Sequence, residues 1–312
     1  METSVNKNVY KVKKDSAFDR LDPSELVFKI ISYTFVIVFA ILCLYPLVYC
    51  LSGAISGAEA VENGDIILWP VDVQFDAFAA VVSNRTFWIA YCSTIFITLY
   101  GTIYAMILSV LGGYALSRKN MFGNKFFNFL LIFTMWFTAG TIPMYLNYAD
   151  TRDFFTSIGI ADQKWTVVIA MGMAAFNIIL LRNAFESVPK EINEAAIVDG
   201  ANDFQIMSKI AVPMSKATIA TVALFYGISR WNGYFWASRI VQNSNDQPLQ
   251  VYIQSWIAVY TDPDRVPVSY DTYSEMSIVY SMIIAAIIPI LIIYPFIQKY
   301  FAAGVNMGGV KE

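Results

Sequence analysis

Histidine is absent from this 312-residue chain, and there are only three cysteines. Without histidine the commonest metal ligand is missing, as is the side chain that ordinarily shuttles protons near neutral pH. Cys43, Cys50 and Cys92 all lie in apolar runs. That predicts buried small apolar residues and argues against a disulfide framework. Charge is scarce too. Asp, Glu, Lys and Arg make up 14% of the chain, where soluble domains carry roughly a quarter. No acid falls in the interior of any long apolar run, so the intramembrane carboxylates of ion-driven carriers are not found. There is no Walker A segment, no Gly-Xaa-Ser-Xaa-Gly elbow, no His-Glu-Xaa-Xaa-His and no cysteine pair with metal spacing. Any ATP hydrolysis linked to this protein therefore belongs to another chain.

Apolar residues are present in excess. The chain is 57% hydrophobic and 16% aromatic, with a mean hydropathy of +0.53. These values describe an all-α polytopic membrane protein. The net charge of −3 carries no information about nucleic acid. Met1 to Arg20 is too long and too mixed in charge for a secretory signal.

Six apolar runs are long enough to cross a bilayer of about 30 Å at ~1.5 Å per residue. They cover about 27–51, 86–116, 126–146, 165–188, 217–237 and 276–296. Asp22-Pro23-Ser24-Glu25 reads as the start of the first helix, with Asp as cap and Pro at the first position. The reading is a polar segment over 1–26, a membrane domain over 27–302 and a tail over 303–312. Lys and Arg set the orientation. Fifteen of the 21 fall on one side, five on the other, and Arg230 lies within the fifth span. Both termini, the basic loop Ser117–Lys125 and the segment 189–213 are thus expected in the cytoplasm. An even number of crossings agrees with that.

The segment 189–213 is polar, punctuated by Gly200, and lodged between two apolar runs. Ile192, Ala195 and Ala196 are expected on one helical face, and Phe204, Met207 and Ala211 on one face of a second helix. Gly200 permits a sharp turn between them, and Pro213 is expected to stop the second helix. On pattern alone this is equally an amphipathic pair lying on the membrane surface.

The spacing of Glu194-Ala195-Ala196, Asp199-Gly200-Ala201 and Ile210-Ala211-Val212-Pro213 resembles the signature loop of permease subunits in ATP-binding-cassette importers. Val212 in place of Leu is the one departure. Tyr114-Ala115-Leu116-Ser117-Arg118, Ile142-Pro143 and Arg182-Asn183 resemble sugar-importer permeases of the maltose-permease-like family. Tyr294-Pro295-Phe296-Ile297-Gln298-Lys299-Tyr300-Phe301, Gly304 and Gly308-Gly309-Val310-Lys311 are similar to its complex-oligosaccharide subgroup.

The resemblance implies a six-helix type I importer permease with a cytoplasmic coupling helix, in a bacterial-type cytoplasmic membrane. It implies a second homologous permease, two ATP-binding subunits holding ATP and Mg, and an extracytoplasmic sugar-binding protein. The coupling residues it implies are Glu194, Ala195, Asp199, Gly200, Ala201, Asn202, Asp203, Phe204 and Met207. Glu194 would meet a basic group on the ATPase, and Asn202 to Met207 would fill a cleft on it. The tail near Gly308 and Lys311 would also reach that interface.

Arg230-Trp231-Asn232-Gly233-Tyr234 is the second constellation. Arg230 stands 14 residues beyond Lys216, or ~21 Å along a helix. A charge at that depth is expected to face the bundle interior or water. Tyr226, Arg230 and Tyr234 are expected on one face. Aromatic rings beside hydrogen-bonding groups suit sugars, and Arg suits a carboxylate. Arg230, Trp231, Asn232 and Tyr234 are thus candidate substrate-pathway residues, with an ion pair to the partner permease as the structural alternative for Arg230. The loops 52–84 and 238–275 carry exposed-type acids, among them Glu59, Glu62 and Asp246, that fit either docking of a binding protein or plain solvation. Two other classes remain open: the same machine for an amino acid or polyamine, and an ATP-independent carrier.

Overall fold

The computed structural model describes residues 23–262, 264 and 272–305, with backbone alone for 296–305. Every regular element among them is helical. The chain forms two units, residues up to Tyr49 and residues from Cys50. The expected cap at Asp22, the segment before it, Arg265, Asp271 and the tail residues Gly308 and Lys311 lie outside the described residues.

The first unit holds α1 (Pro23–Ala54) as far as Tyr49; the helix begins at Pro23, with Glu25 in its first turn. Both suit a helix start, since Pro has no N–H to lose there and Glu favours the positive end. Nearly every side chain from Val27 to Leu47 is exposed and apolar, as a lipid-facing helix requires.

The second unit is built around α4 (Arg85–Ser117), which follows the short helices α2 (Ala58–Glu62) and α3 (Asp76–Ser83). Asn84 caps α4 by accepting the N–H groups of Thr86 and Phe87. One face of α4 carries Ile97, Gly101, Ala105, Ser109 and Gly113 at four-residue spacing, all buried. Helices in lipid gain little from hydrophobic exclusion, so close backbone approach matters more. This stripe permits that approach. A Cβ on Gly113 would stand 3.0 Å from Leu181 Cβ and 3.2 Å from the Arg182 backbone nitrogen.

α5 (Asn124–Trp136) and α6 (Thr141–Ser157) follow, bent by 111° at a break where Gly140 takes φ +85°. α7 (Lys164–Ala170) and α8 (Ala175–Glu186) are bent by 56° at Met171–Ala174. α9 (Lys190–Val198), α10 (Asp203–Ile206) and α11 (Val212–Met214) form the segment between two apolar runs. α12 (Lys216–Trp231), α13 (Tyr234–Ile240), α14 (Leu249–Tyr260) and α15 (Glu275–Val305) complete the unit.

Three helices, Pro23–Ala54, Arg85–Ser117 and Glu275–Pro295, are long and apolar enough to cross a membrane singly; three bent pairs bring the number to six if each is one span. The six-span expectation stands in that form, with four corrections. The third and fourth runs are broken, each at a positive-φ glycine. The fifth run does not continue to Ala237: α12 ends at Trp231 and α13 restarts at Tyr234. The expected loop 238–275 contains the helix α14, whose Leu249, Val251 and Ile253 are buried. Its apolar stripe at Leu249, Ile253, Trp256 and Tyr260 has helical spacing, which the polar Gln250, Gln254 and Ser255 obscured. Finally, Cys43 and Cys92 are exposed rather than buried; all three cysteines are free thiols.

Asp246 also departs from the expected solvated surface. It is buried, and its carboxylate lies 3.5 Å from Lys164 Nζ. It accepts the Gln163 N–H at 3.2 Å and the Asn243 amide at 3.3 Å. The Gln163 side-chain oxygen in turn accepts the N–H groups of Gln242 and Asn243. This network ties the connection after α13 to the start of α7. Glu59, Glu62, Asp65, Asp72 and Asp76 are exposed as expected.

Candidate functional site

The segment 189–213 forms two helices joined by a tightly specified turn. Gly200 takes φ +82°. Its N–H donates to Ile197 O, and the Ala201 N–H reaches back to Ala196 O at 2.9 Å. That pair is a Schellman cap, which a residue in the left-handed region completes. The next helix begins immediately. Asn202 accepts the Gln205 N–H while the Gln205 side chain accepts the Asn202 N–H, both at 2.9 Å. This reciprocal capping box satisfies two donors that the helix start leaves free. The sequence placed Gln205 only within the stretch Asn202 to Met207, although Asn followed three residues later by Gln is a legible signal of the box.

Beyond Ile206 the helix widens into one π turn, Met207–Ala211. The wider turn carries Ala211 back onto the side occupied by Ile206 and Met207. All three are buried with Tyr114, Leu181, Phe185, Val222 and Tyr226, and Ala196 and Ala201 pack on the same cluster. The expected shared face of Phe204, Met207 and Ala211 is therefore corrected. Met207 is 7% exposed and anchors inward, whereas Phe204 is 67% exposed. Of the other candidates, Glu194, Ala195, Asp199, Gly200, Asn202 and Asp203 are exposed and Ala201 is half-buried. Ile197 and Val198, the latter 86% exposed, join Phe204 as outward apolar groups that the sequence reading passed over.

An ion pair fastens this segment to α4. Arg118 Nη2 donates to Asp203 Oδ1 at 2.9 Å, and its guanidinium lies 5.4 Å from the Tyr114 ring centroid. The Arg118 carbonyl accepts the Asn124 amide at 3.0 Å, and Asn124 O accepts the Asn128 amide at 2.9 Å. Asn128 Oδ1 accepts from Arg182 on α8. Asn124 and Asn128 of α5 thus satisfy the Leu116 and Arg118 carbonyls that the end of α4 leaves open, and Arg182 of α8 holds Asn128.

The Arg230 constellation is divided. Arg230 is 4% exposed and faces inward, where its Nη2 donates to Gly172 O at the break between α7 and α8. Gly101 makes room for it; a Cβ there would stand 3.1 Å from Arg230 Nε. Tyr226, one turn earlier, accepts the Ala174 N–H at 3.0 Å and pairs with Ser109 Oγ at 2.7 Å. Backbone groups freed at membrane depth must find partners, and α12 supplies both. Tyr234 does not share this face, because the helix breaks before it. Trp231 is buried, with Nε1 donating to Ala286 O at 3.2 Å and its ring edge-on to Tyr91. Trp231, Asn232 and Tyr234 instead line a groove of about 410 Å³ with Gln250 and Gln254 of α14 and aliphatic groups of α15. Aromatic, amide and aliphatic side chains line this groove, and none of them is charged. Arg230 lies outside it.

Residues 20–307 match a family described as the binding-protein-dependent transport system inner membrane component. The polygalacturonan/rhamnogalacturonan transport system permease protein YtcP of Bacillus subtilis is 33% identical over 288 residues, covering 91% of this chain and 98% of that one. The protein LplC of the same organism is 32% identical over 271 residues, covering 85% and 88%. Among solved structures, a chain of a bacterial ABC transporter involved in import of the acidic polysaccharide alginate is 39% identical. It superposes with a TM-score of 0.79 over 90% of this chain and 99% of that one.

Proposed function

The chain belongs to the family of inner membrane components of binding-protein-dependent transport systems, and on that basis we propose that it forms half of the path by which an acidic oligosaccharide enters a cell. It is a permease subunit of an ATP-binding-cassette importer. The observation that carries the cargo is the 39% identity, over 90% of the chain, to the alginate importer subunit. YtcP points the same way, since polygalacturonan is also built from carboxylate-bearing sugars.

In this reading residues 27–302 are the membrane domain, and 1–26, 189–213 and 303–312 face the cytoplasm, as the distribution of Lys and Arg supports. A second, related permease completes the pore. Two ATP-binding subunits hold ATP and Mg, and an extracytoplasmic sugar-binding protein delivers the cargo.

The turn at Gly200 and the exposed Glu194, Asp199, Asn202, Asp203 and Phe204 dock on an ATP-binding subunit. Ile206, Met207 and Ala211 transmit its motion, because they are buried with residues of α4, α8 and α12. Trp231, Asn232 and Tyr234 line the cargo path with Gln250 and Gln254, through ring faces and amides that suit hydroxyl-rich sugars. Arg230 stands behind them at the helix break.

The test is uptake of a labelled oligouronide by the permease pair, ATPase and binding protein reconstituted in liposomes. ATP-dependent accumulation is expected. Gly200→Trp should abolish uptake while the protein still inserts, since nothing lies within 4 Å of a Cβ there but the left-handed φ excludes most side chains. Uptake by the variant at the wild-type rate overturns the coupling role, and a wild-type complex that accumulates no oligosaccharide overturns the cargo.

A further inference from the structure

Arg230 is a full charge at a place where the chain itself needs only a donor. Its hydrogen bond to the Gly172 carbonyl is one that a neutral amide also makes. Its Nε is buried with no hydrogen-bond partner. Among the described residues no carboxylate forms an ion pair with it, whereas Arg118, Lys164 and Arg182 each have one. A cation held at membrane depth without a counter-charge is costly, and such residues mark pathways for ions and substrates. The fold accommodates this one deliberately, with Gly101 where any side chain would press on the guanidinium.

The site also has an approach. Gly172 is half-buried, and the next residue, Met173, is exposed. The guanidinium therefore lies one hydrogen bond beneath the accessible edge of a helix break. That break carries no side chain at Gly172 and is held by Tyr226 from the other side.

We propose that Arg230 is the carboxylate anchor of the translocation path, receiving one uronate group of the passing oligosaccharide in place of the Gly172 carbonyl. The planar fork of Arg matches a carboxylate and presents more donors than the carbonyl uses. The uncharged groove beside Trp231 then serves the ring and hydroxyl faces of the same cargo, so charge and ring are read at separate places. The inference rests on the importer reading above and adds to it a residue that selects acid over neutral sugar.

The test uses the complete importer in liposomes with two cargoes of equal length, an oligogalacturonate and its methyl ester. Each is scored as variant over wild type, so the binding protein's own preference divides out. Arg230→Gln should raise the half-saturating concentration for the oligogalacturonate about tenfold or more, the scale of one charge-assisted hydrogen bond. It should leave the ester nearly unchanged, because Gln keeps a neutral donor for a neutral cargo. Arg230→Lys keeps the charge without the fork, and should fall between wild type and Gln for the acid alone.

Equal loss on both cargoes overturns the proposal and leaves Arg230 as a strut of the helix break or the partner of an acid on the second permease. No loss on either overturns it as well. If the Gln variant fails to assemble, the Lys variant decides by the same ratio. A wild-type complex that carries neither cargo overturns the acidic-oligosaccharide reading on which this inference rests, a result distinct from equal loss.

Discussion

The Tyr226 hydroxyl and the Arg230 guanidinium, one turn apart on α12, hold the two sides of a single helix break: Arg230 donates to Gly172 O, and Tyr226 accepts the Ala174 N–H at 3.0 Å. A kink at membrane depth frees an N–H and a C=O that lipid cannot satisfy. One side chain answers the carbonyl and the other answers the amide. The break is thus as much a product of α12 as of its own Gly172.

Tyr226→Phe should destabilise the protein by about 1 kcal/mol, within the range for interhelical hydrogen bonds in membranes. It removes the acceptor for Ala174 and the partner of Ser109 at 2.7 Å. Thermal unfolding of the detergent-solubilised complex measures this. An unchanged midpoint would mean that the break satisfies itself.

Gly112 and Gly113 are adjacent and should respond oppositely to Ala. At Gly113 the new methyl meets Leu181 Cβ and backbone atoms at 3.0–3.3 Å, so α4 and α8 must separate. A loss of about 1–3 kcal/mol is expected from overpacking. At Gly112 the nearest contact is 3.9 Å, and Ala should be neutral or slightly stabilising. Yield of folded protein on size exclusion separates the pair.

Phe204 and Met207, three residues apart, should separate association from folding. Phe204→Ala removes an exposed ring and should leave the melting temperature unchanged while weakening co-purification with the ATP-binding subunit. Met207→Ala opens the buried cluster and should cost about 2–5 kcal/mol of stability. Equal thermal stability of the two variants would contradict the burial pattern.

Arg118 and Asp203 join the end of α4 to the start of α10 across an exposed gap. Such a pair contributes about 0–1 kcal/mol to stability, so its loss should be nearly silent in unfolding. Under the proposed docking of this segment on an ATP-binding subunit, its position matters more for transmission. Asp203→Ala should lower cargo transported per ATP hydrolysed, and the exchanged pair Arg118→Asp with Asp203→Arg should recover part of that ratio. A ratio unchanged in all three proteins would reduce the pair to surface decoration.

The membrane class, the number of apolar runs and the turn at Gly200 were legible in the residues, because each depends on local physics. Lipid demands long runs without charge, and a Gly in the left-handed region leaves a sharp mark between two short helices. The Asn202–Gln205 box was equally local and was simply passed over. Phe204 and Met207 were grouped because three-residue spacing puts them near each other on a helix; which of them turns inward depends on how the segment packs on α4, α8 and α12. The connection after Ser238 was misread because α14 shows its apolar stripe only when helical spacing is allowed through Gln250 and Gln254.

By itself, then, the amino-acid sequence determined that this chain lives in a membrane, how often its apolar runs can cross, and where a polar segment stands between two of them. Only the tertiary structure decided which residues of that segment face outward and which lock into α4, α8 and α12. It alone placed Arg230 behind a helix break, away from the groove of its neighbours Trp231 and Asn232. The reason is physical: hydropathy and caps act within a few residues, while burial, broken helices and the partners of freed backbone groups depend on segments over fifty residues apart in the chain, such as Gly172 and Arg230.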